Sequence, residues 1–554
     1  MTNPIKPSAK DIKFWEDVKQ RYLDRADIIN EMHEDEIEAA QGLRWSSFDL
    51  AECVSEYVHL RYEDLANFVK SYEILKDDFR YTRTTGDKLA QLPATEFDLV
   101  IADNGKAIPA QRGLKLTSNQ HWDIMFEPGS WYVRNKKISL VLPFALIEKG
   151  QNCTHQGTII IESDQAGYQI ATETCKYLQF NAQGFADISI SNKGTGSSKS
   201  VTLKYAKELL NRLPEESIFG PSKDDSKLDN SVLSQSAYIE PSSISVYGAV
   251  IDATHYVSDC PTRAANFSDC SHVPLPGYSL AKSIIGGIGL MRLEALYPGA
   301  QNLLVKDLIP ECVAWADISL KHLLNNTTGR YGSKYPHRDE AKHLFAFFEE
   351  PSVKAKTEHA CNRYRTKAKP GEQWVYHTTE FWLLGVAMQN FWQQKYGKDK
   401  DFYTDLLMPI WAELGLSPLL DAPHREQNQP STGWGLMLLR SDIAKLASAL
   451  SASDPILTKL LDKSMLDRAM QKDVSDRGVT AGAADLKFNN GFWAWDAGPS
   501  LDCANSQWLP FMSGYGGISV VLLPDGDAYY YFSDSGVFRF TEVIQYLNKI
   551  NPIC

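Results

Sequence analysis

At 554 residues the chain exceeds one ordinary hydrophobic core, so at least two domains are expected. Hydrophobic residues at 43% and charged residues at 23% match folded globular proteins and exclude general disorder or a fibrous repeat. A formal net charge of -12 sets the overall field against nucleic acid or an anionic membrane as partner, and no apolar run reaches the ~18 residues that span a bilayer.

Met1 to Lys10 is polar and lacks the apolar stretch of a signal peptide, although a cleaved leader would leave the same picture. The compartment therefore stays open between cytoplasm and, where a leader has been removed, periplasm or secretion. Residues 10–80 carry Glu, Asp, Lys and aromatics at helical spacing, which predicts helices, with the acidic run from His33 to Glu38 as a solvated face. From Phe97 the texture changes to short β-type runs at 98–102, 138–146, 158–163 and 186–191, broken by Gly, Asn and Pro. The expectation is an N-terminal domain over 1–214, helical at its start and then β-rich. A Ser-, Asp-, Lys- and Pro-rich stretch without periodicity, 215–243, is expected to be a linker, and 244–554 a second domain.

In that second domain a strand is expected at 244–251, a buried helix at 279–296 and another at 381–391. A hairpin is expected where 518–523 and 528–532 flank Pro524-Asp525-Gly526-Asp527, and an amphipathic helix at 541–550. Nine cysteines show no CxxC pair or zinc-finger spacing, so no metal site is expected. Cys153 with Cys175 and Cys260 with Cys270 close short loops and read either as disulfides in an oxidising compartment or as small buried thiols.

Three local patterns carry chemistry. Ser279-Leu280-Ala281-Lys282 follows the breaker-rich Pro274-Leu275-Pro276-Gly277 and opens a helical run. Three residues apart on a helix, hydroxyl and amine share a face, and a neutral amine can accept the serine proton if burial depresses its pKa. Gly286, Gly287 and Gly289 follow; each costs a helix about 1 kcal/mol and implies close packing rather than a surface helix. The second pattern, Trp374-Val375-Tyr376-His377-Thr378, leads from a Pro-Gly turn into a helix and offers a phenol and a hydroxyl to a cleft. The third, Met512-Ser513-Gly514-Tyr515-Gly516-Gly517, leads into a strand whose glycines admit close approach of a substrate backbone.

The order and context of these patterns resemble the serine β-lactamase-like and penicillin-binding-protein superfamily, which includes class C β-lactamases, D-alanyl-D-alanine carboxypeptidases, family VIII esterases and 6-aminohexanoate-dimer hydrolases. Residues 317–329, Leu383-Leu384-Gly385, Gly433-Trp434-Gly435-Leu436 and Ser441-Asp442-Ile443-Ala444 resemble intervening segments of that family, and the resemblance covers about 244–554. It implies an α+β fold, an antiparallel sheet flanked by helices plus a helical region, here preceded by the β-rich domain. It also implies Ser279 as nucleophile of the SxxK motif, Lys282 and Tyr376 as its general-base pair, and an oxyanion hole from the backbone N–H groups of Ser279 and Tyr515. Thr378, Met512, Ser513 and Gly514 would contact substrate, and no cofactor would be needed.

Three departures bear on the substrate. Thr378 stands where the family pattern has Asn, and Met512 stands where it has Lys or His, which removes a cation for a substrate carboxylate. The N-terminal domain has no counterpart in the family pattern. With Trp508, Phe511 and Tyr515, Met512 is expected to offer apolar surface to the uncharged acyl or alkyl group of a small ester or amide. The alternatives are an inactive β-lactamase-like scaffold, a D-amino-acid peptidase or β-lactamase, and an α/β-hydrolase elbow at Gly277-Tyr278-Ser279-Leu280-Ala281. The oligomeric state is not legible.

Overall fold

The computed structural model describes the chain from Ser55 to Cys554, except for residues 65–71, 79, 81–91, 103–104, 135–136, 150–152, 163–164, 174, 177–178, 192–195, 220–227, 261–269, 336 and 342. The N-terminal part is built from β1 (Ser55–Asp64), β2 (Tyr72–Asp77), β3 (Thr95–Ala102), β4 (Lys106–Pro109) and β5 (Trp122–Phe126), then β6 (Gly129–Arg134), β7 (Lys137–Glu148), β8 (Thr154–Glu162), β9 (Gln165–Glu173) and β10 (Phe180–Ser191). Pairing runs β1-β3-β4-β6-β7-β8-β9-β10 and returns from β10 to β1, with β2 added on β10 and β5 on β7. The ring therefore closes into an antiparallel barrel, which pairs strands that would otherwise be sheet edges. Alternate residues Leu140, Leu142, Phe144 and Leu146 of β7 are buried with Ile159, Ile161, Tyr168 and Ile170. At about eight strands an interior is just wide enough for such side chains to fill it.

The helical expectation for residues 10–80 fails at 55–64 and 72–77, which are strands; the acidic run from His33 to Glu38 lies outside the described residues. Residues 55–64 pair with both β3 and β10, and this tertiary pairing overrides the local charge pattern.

Helix α1 (Ser198–Asn211) is started by Ser197, whose side chain accepts from the Ser200 N–H, and packs Tyr205 against Val100 and Ile108 of the barrel. Arg112 pairs with both Glu127 and Glu208, all three buried, so the barrel and α1 share one ionic lock. Glu215 then reaches Arg440 at 2.9 Å.

The second sheet contains β11 (Glu215–Ser217), β12 (Ile244–Ile251), β13 (Thr254–Val257), β14 (Val479–Thr480), β15 (Leu486–Asn489), β16 (Phe492–Asp496), β17 (Trp508–Gly514), β18 (Ile518–Leu522) and β19 (Ala528–Ser533). Its order is β11-β13-β12-β19-β18-β17-β16-β15-β14, antiparallel except for β11 beside β13. Period-2 alternation gives the sheet two buried faces. Val246, Met512, Val520 and Tyr530 join the core that includes Ile443, Ala444 and Ala447 of α4 (Arg440–Ser451). Tyr247, Phe511, Val521 and Tyr531 pack with Val543, Ile544 and Leu547 of α5 (Thr541–Ile550). The expected hairpin is present, with Asp525 and Gly526 at positive φ in its turn.

Residues 215–243 do more than link. β11 extends the second sheet, Ile218, Leu233 and Ile239 are buried, and the Leu233 carbonyl accepts from the Tyr529 hydroxyl at 2.6 Å. Between the sheet and a helical region run the π-helical turns Lys282–Gly287, which continue into α2 (Ile288–Leu296), and beside them α3 (Thr378–Tyr396). A Cβ on Gly286 would lie 2.9 Å from a Phe381 ring carbon, and one on Gly287 2.8 Å from the Asn490 carbonyl oxygen, so the glycines mark close helix packing. Among the described residues no helix is long and apolar enough to cross a membrane.

Candidate active site

Ser279 sits at the junction between a short strand and a helix. Leu275–Pro276 pairs with Met437–Leu438, the Gly277 N–H donates to the Leu436 carbonyl at 2.8 Å, and Tyr278 takes a positive φ of 44°. That turn halts the strand and starts the helix at Leu280, leaving Ser279 half-buried at the helix N-terminus. The strand immediately upstream, Leu275–Pro276, is two residues long and paired antiparallel, which does not fit the parallel strand that leads into an α/β-hydrolase elbow.

Lys282 lies one turn on, 2% exposed, with its Nζ 2.8 Å from Ser279 Oγ, 3.0 Å from Thr378 Oγ1 and 3.1 Å from the Gly433 carbonyl oxygen. Burial lowers its pKa to about 8, against the opposing influence of the Glu340 carboxylate. The roles of the three contacts follow from what each partner can do. Gly433 O only accepts. Thr378 donates its own proton to the Glu340 carboxylate, and the same carboxylate accepts the Thr378 N–H at 2.8 Å, so Thr378 Oγ1 must accept from the lysine. As the ammonium, Lys282 donates to all three partners; as the neutral amine it has two protons and one lone pair, and with both protons given to Thr378 and Gly433 the lone pair faces Ser279.

Tyr376 is buried, with its ring centroid 4.9 Å from Lys282 Nζ. Burial, and then the Glu340 carboxylate, push its phenol well above the ordinary tyrosine value, against a lowering hydrogen bond with Ser279. The phenol therefore stays protonated and is equipped to give a proton. Behind it, the buried His377 is bonded through Nε2 to Asp339 and through Nδ1 to Glu380, each at 2.9 Å, and stacks on Tyr364 at 4.6 Å. Although burial opposes it, the bonds to Asp339 and Glu380 raise His377 to about 9. The imidazolium ties the 337–340 segment, and with it Glu340, to the first turn of α3.

The third pattern divides. Ser513, Gly514 and Tyr515 line the cleft beside Ser279, and a Cβ on Gly514 would lie 2.8 Å from the Gly277 carbonyl oxygen. Close backbone approach there sets the Tyr515 main chain next to the Ser279 segment. Met512 does not line it. Strand alternation turns its side chain into the core, 2% exposed, while Phe511 and Ser513 face the cleft. Trp508 is also outside the lining, where Trp493 and Trp495 take part instead. Glu340 and these two tryptophans were not singled out from sequence, since they lie outside the three patterns and reach the cleft only through tertiary contacts.

The cleft opens into a cavity of about 1120 Å³. The barrel contributes Cys175 and Lys176 to its wall, and the Cys153–Cys175 disulfide lies against Tyr278, whose hydroxyl is 2.7 Å from Cys175 Sγ and 3.4 Å from Cys153 Sγ. Among the described residues no group of His, Cys, Asp or Glu is arranged to hold a metal ion.

No family model and no curated protein matches the chain. Solved structures similar to this one include a putative 6-aminohexanoate-dimer hydrolase from Bacillus anthracis, 13% identical, covering 61% of this chain and 86% of that one at a TM-score of 0.43. EstCE1, a hydrolase with promiscuous acyltransferase activity, is 12% identical over 58% of this chain and 96% of its own, with a TM-score of 0.43. A penicillin-binding-protein homologue from Caulobacter crescentus is 13% identical over 55% and 91%, with a TM-score of 0.38.

Proposed function

We propose that the protein is a serine hydrolase that works through an acyl-enzyme on neutral esters or amides. The observation that carries this reading is the buried Lys282 Nζ, 2.8 Å from Ser279 Oγ and 3.0 and 3.1 Å from Thr378 Oγ1 and the Gly433 carbonyl oxygen: an amine that gives its two protons to the latter pair turns its lone pair to the serine. In the first half-reaction Ser279 Oγ bonds to the substrate carbonyl carbon as its proton passes to Lys282. Tyr376, held protonated, hands a proton to the departing alcohol or amine and recovers one from Lys282. Water then attacks the ester, and the same groups run in reverse. Backbone N–H groups of Ser279 and Tyr515 receive the developing oxyanion.

Support for a neutral substrate comes from Glu340 rather than from Met512. A substrate carboxylate placed beside Ser279 would meet the Glu340 carboxylate and lose its hydration, a penalty of several kcal/mol. Of the lining cations, Arg539 is engaged by Glu542 at 3.0 Å and lies over Tyr238 at 4.3 Å, whereas Lys176 is exposed at the wall.

Ser279→Ala is expected to abolish ester turnover with the melting temperature unchanged, since it removes one half-buried hydroxyl and no core volume. Undiminished turnover by this variant would overturn the assignment. Lys282→Ala and Tyr376→Phe should each lower kcat about a hundredfold.

A further inference from the structure

The cavity beside Ser279 is larger and more apolar than the chemistry alone requires. Its volume of about 1120 Å³ lies just above the ~300–1,000 Å³ that houses drug-sized ligands. One wall is a packed aromatic series: Trp493 stacks on Phe511 at 5.9 Å, Phe511 meets Phe540 edge-on at 5.3 Å, and Phe540 meets Trp495 at 5.6 Å. Leu344, Phe348 and Trp434 add a second apolar group to the lining, with Phe348 and Trp434 at 4.9 Å. At the mouth, Phe345, Tyr515 and Phe538 are 51%, 62% and 52% exposed. Exposed aromatics gathered at the rim of an apolar chamber are what a lipophilic ligand needs on its way in.

We propose that this chamber selects esters with a bulky apolar acyl group, a chain of about eight carbons or more, whose carbonyl reaches Ser279 while its tail lies against this apolar, aromatic lining. The proposal rests on Ser279 being the acylated residue. Ser279 Oγ bonds to the carbonyl carbon, the bond to the alkoxy oxygen breaks, and the alcohol leaves with a proton; water then releases the carboxylic acid and restores the serine hydroxyl. Each methylene moved fully from water onto an apolar wall is worth about 0.8 kcal/mol, or roughly fourfold, in kcat/KM. Only part of that gain is expected in a chamber that stays open at its mouth.

The test is a series of p-nitrophenyl esters from acetate to dodecanoate, kept below their micelle concentrations and assayed on the full chain and on Ser279→Ala. At least about a thirtyfold rise in kcat/KM from acetate to octanoate is expected, lost in Ser279→Ala. In Phe345→Glu/Phe538→Glu, two exposed positions where charge is tolerated by the fold, the octanoate-to-acetate ratio should fall at least about fivefold. A flat or falling series with Ser279-dependent acetate turnover would overturn the proposal and leave the nucleophile intact. Absence of turnover at every length, with no covalent labelling of Ser279 by a fluorophosphonate, would overturn the hydrolase reading and this proposal with it.

Discussion

At the scale of single residues, the account turns on which way protons point around Lys282. Glu340 accepts from Thr378 and Thr378 accepts from Lys282, so Lys282, 2.8 Å from Ser279 Oγ, is placed to accept the serine proton once it is neutral. Because the working form is the neutral amine, kcat/KM should rise with pH through about 8 and fall away below it. Glu340→Gln removes the carboxylate that favours the ammonium, so the acid limb should move to lower pH, and kcat should drop about tenfold because the amide no longer fixes the threonine proton. A pH–rate profile checks both; an acid limb that moves upward would contradict this arrangement. The proximity of Ser279, Lys282 and Tyr376 was legible in sequence because a three-residue helical spacing and a turn-to-helix pattern are local signals. Glu340 was not, since its meaning depends on a bond to Thr378 across 38 positions. Met512 misled for the same reason: position in a motif does not say which face of a strand a side chain takes.

Among elements, the cluster of His377, Asp339 and Glu380 decides where the Glu340 segment rests on α3. His377 is buried as a cation between carboxylates, and removing it as in His377→Gln should destabilise the protein by about 3 kcal/mol, because the carboxylates lose their buried partner. Its folded pKa of about 9 lies above the ordinary 6.5, so the stabilisation is fully present below pH 6.5 and is lost as pH rises through about 9. Urea unfolding of both proteins should show the gap between them narrow from pH 6.5 to pH 10. A gap that widens would mean the histidine is neutral when folded. The strands and helices of the second half were largely legible, since 244–251, 381–391 and 541–550 carry clear periodicity. The strand at 55–64 was not, because its pairing with β3 and β10 depends on residues far along the chain.

For the whole molecule, the barrel forms part of the wall of the cleft beside Ser279. That could not be read from sequence: nothing local in Cys175-Lys176 marks a contact with Tyr278, some 100 residues on. Among the described residues four disulfides join Cys153 with Cys175, Cys260 with Cys270, Cys312 with Cys361 and Cys503 with Cys554. The first two were the pairs expected for an oxidising compartment; the last two close loops of 49 and 51 residues, too long for spacing to suggest them. Cys153→Ser/Cys175→Ser removes the sulfur surface under Tyr278 and should lower kcat several-fold with KM little changed, which steady-state kinetics will show. An unchanged kcat would mean that the barrel only bounds the cleft and does not brace the nucleophile's turn. The central claim, that Ser279 is a live nucleophile activated by Lys282, is tested most directly by mass spectrometry of the intact protein after treatment with a fluorophosphonate at pH 8. One adduct per chain, mapped to Ser279 and lost in both Ser279→Ala and Lys282→Ala, is the predicted result; an unmodified Ser279 in the folded wild-type protein would contradict it.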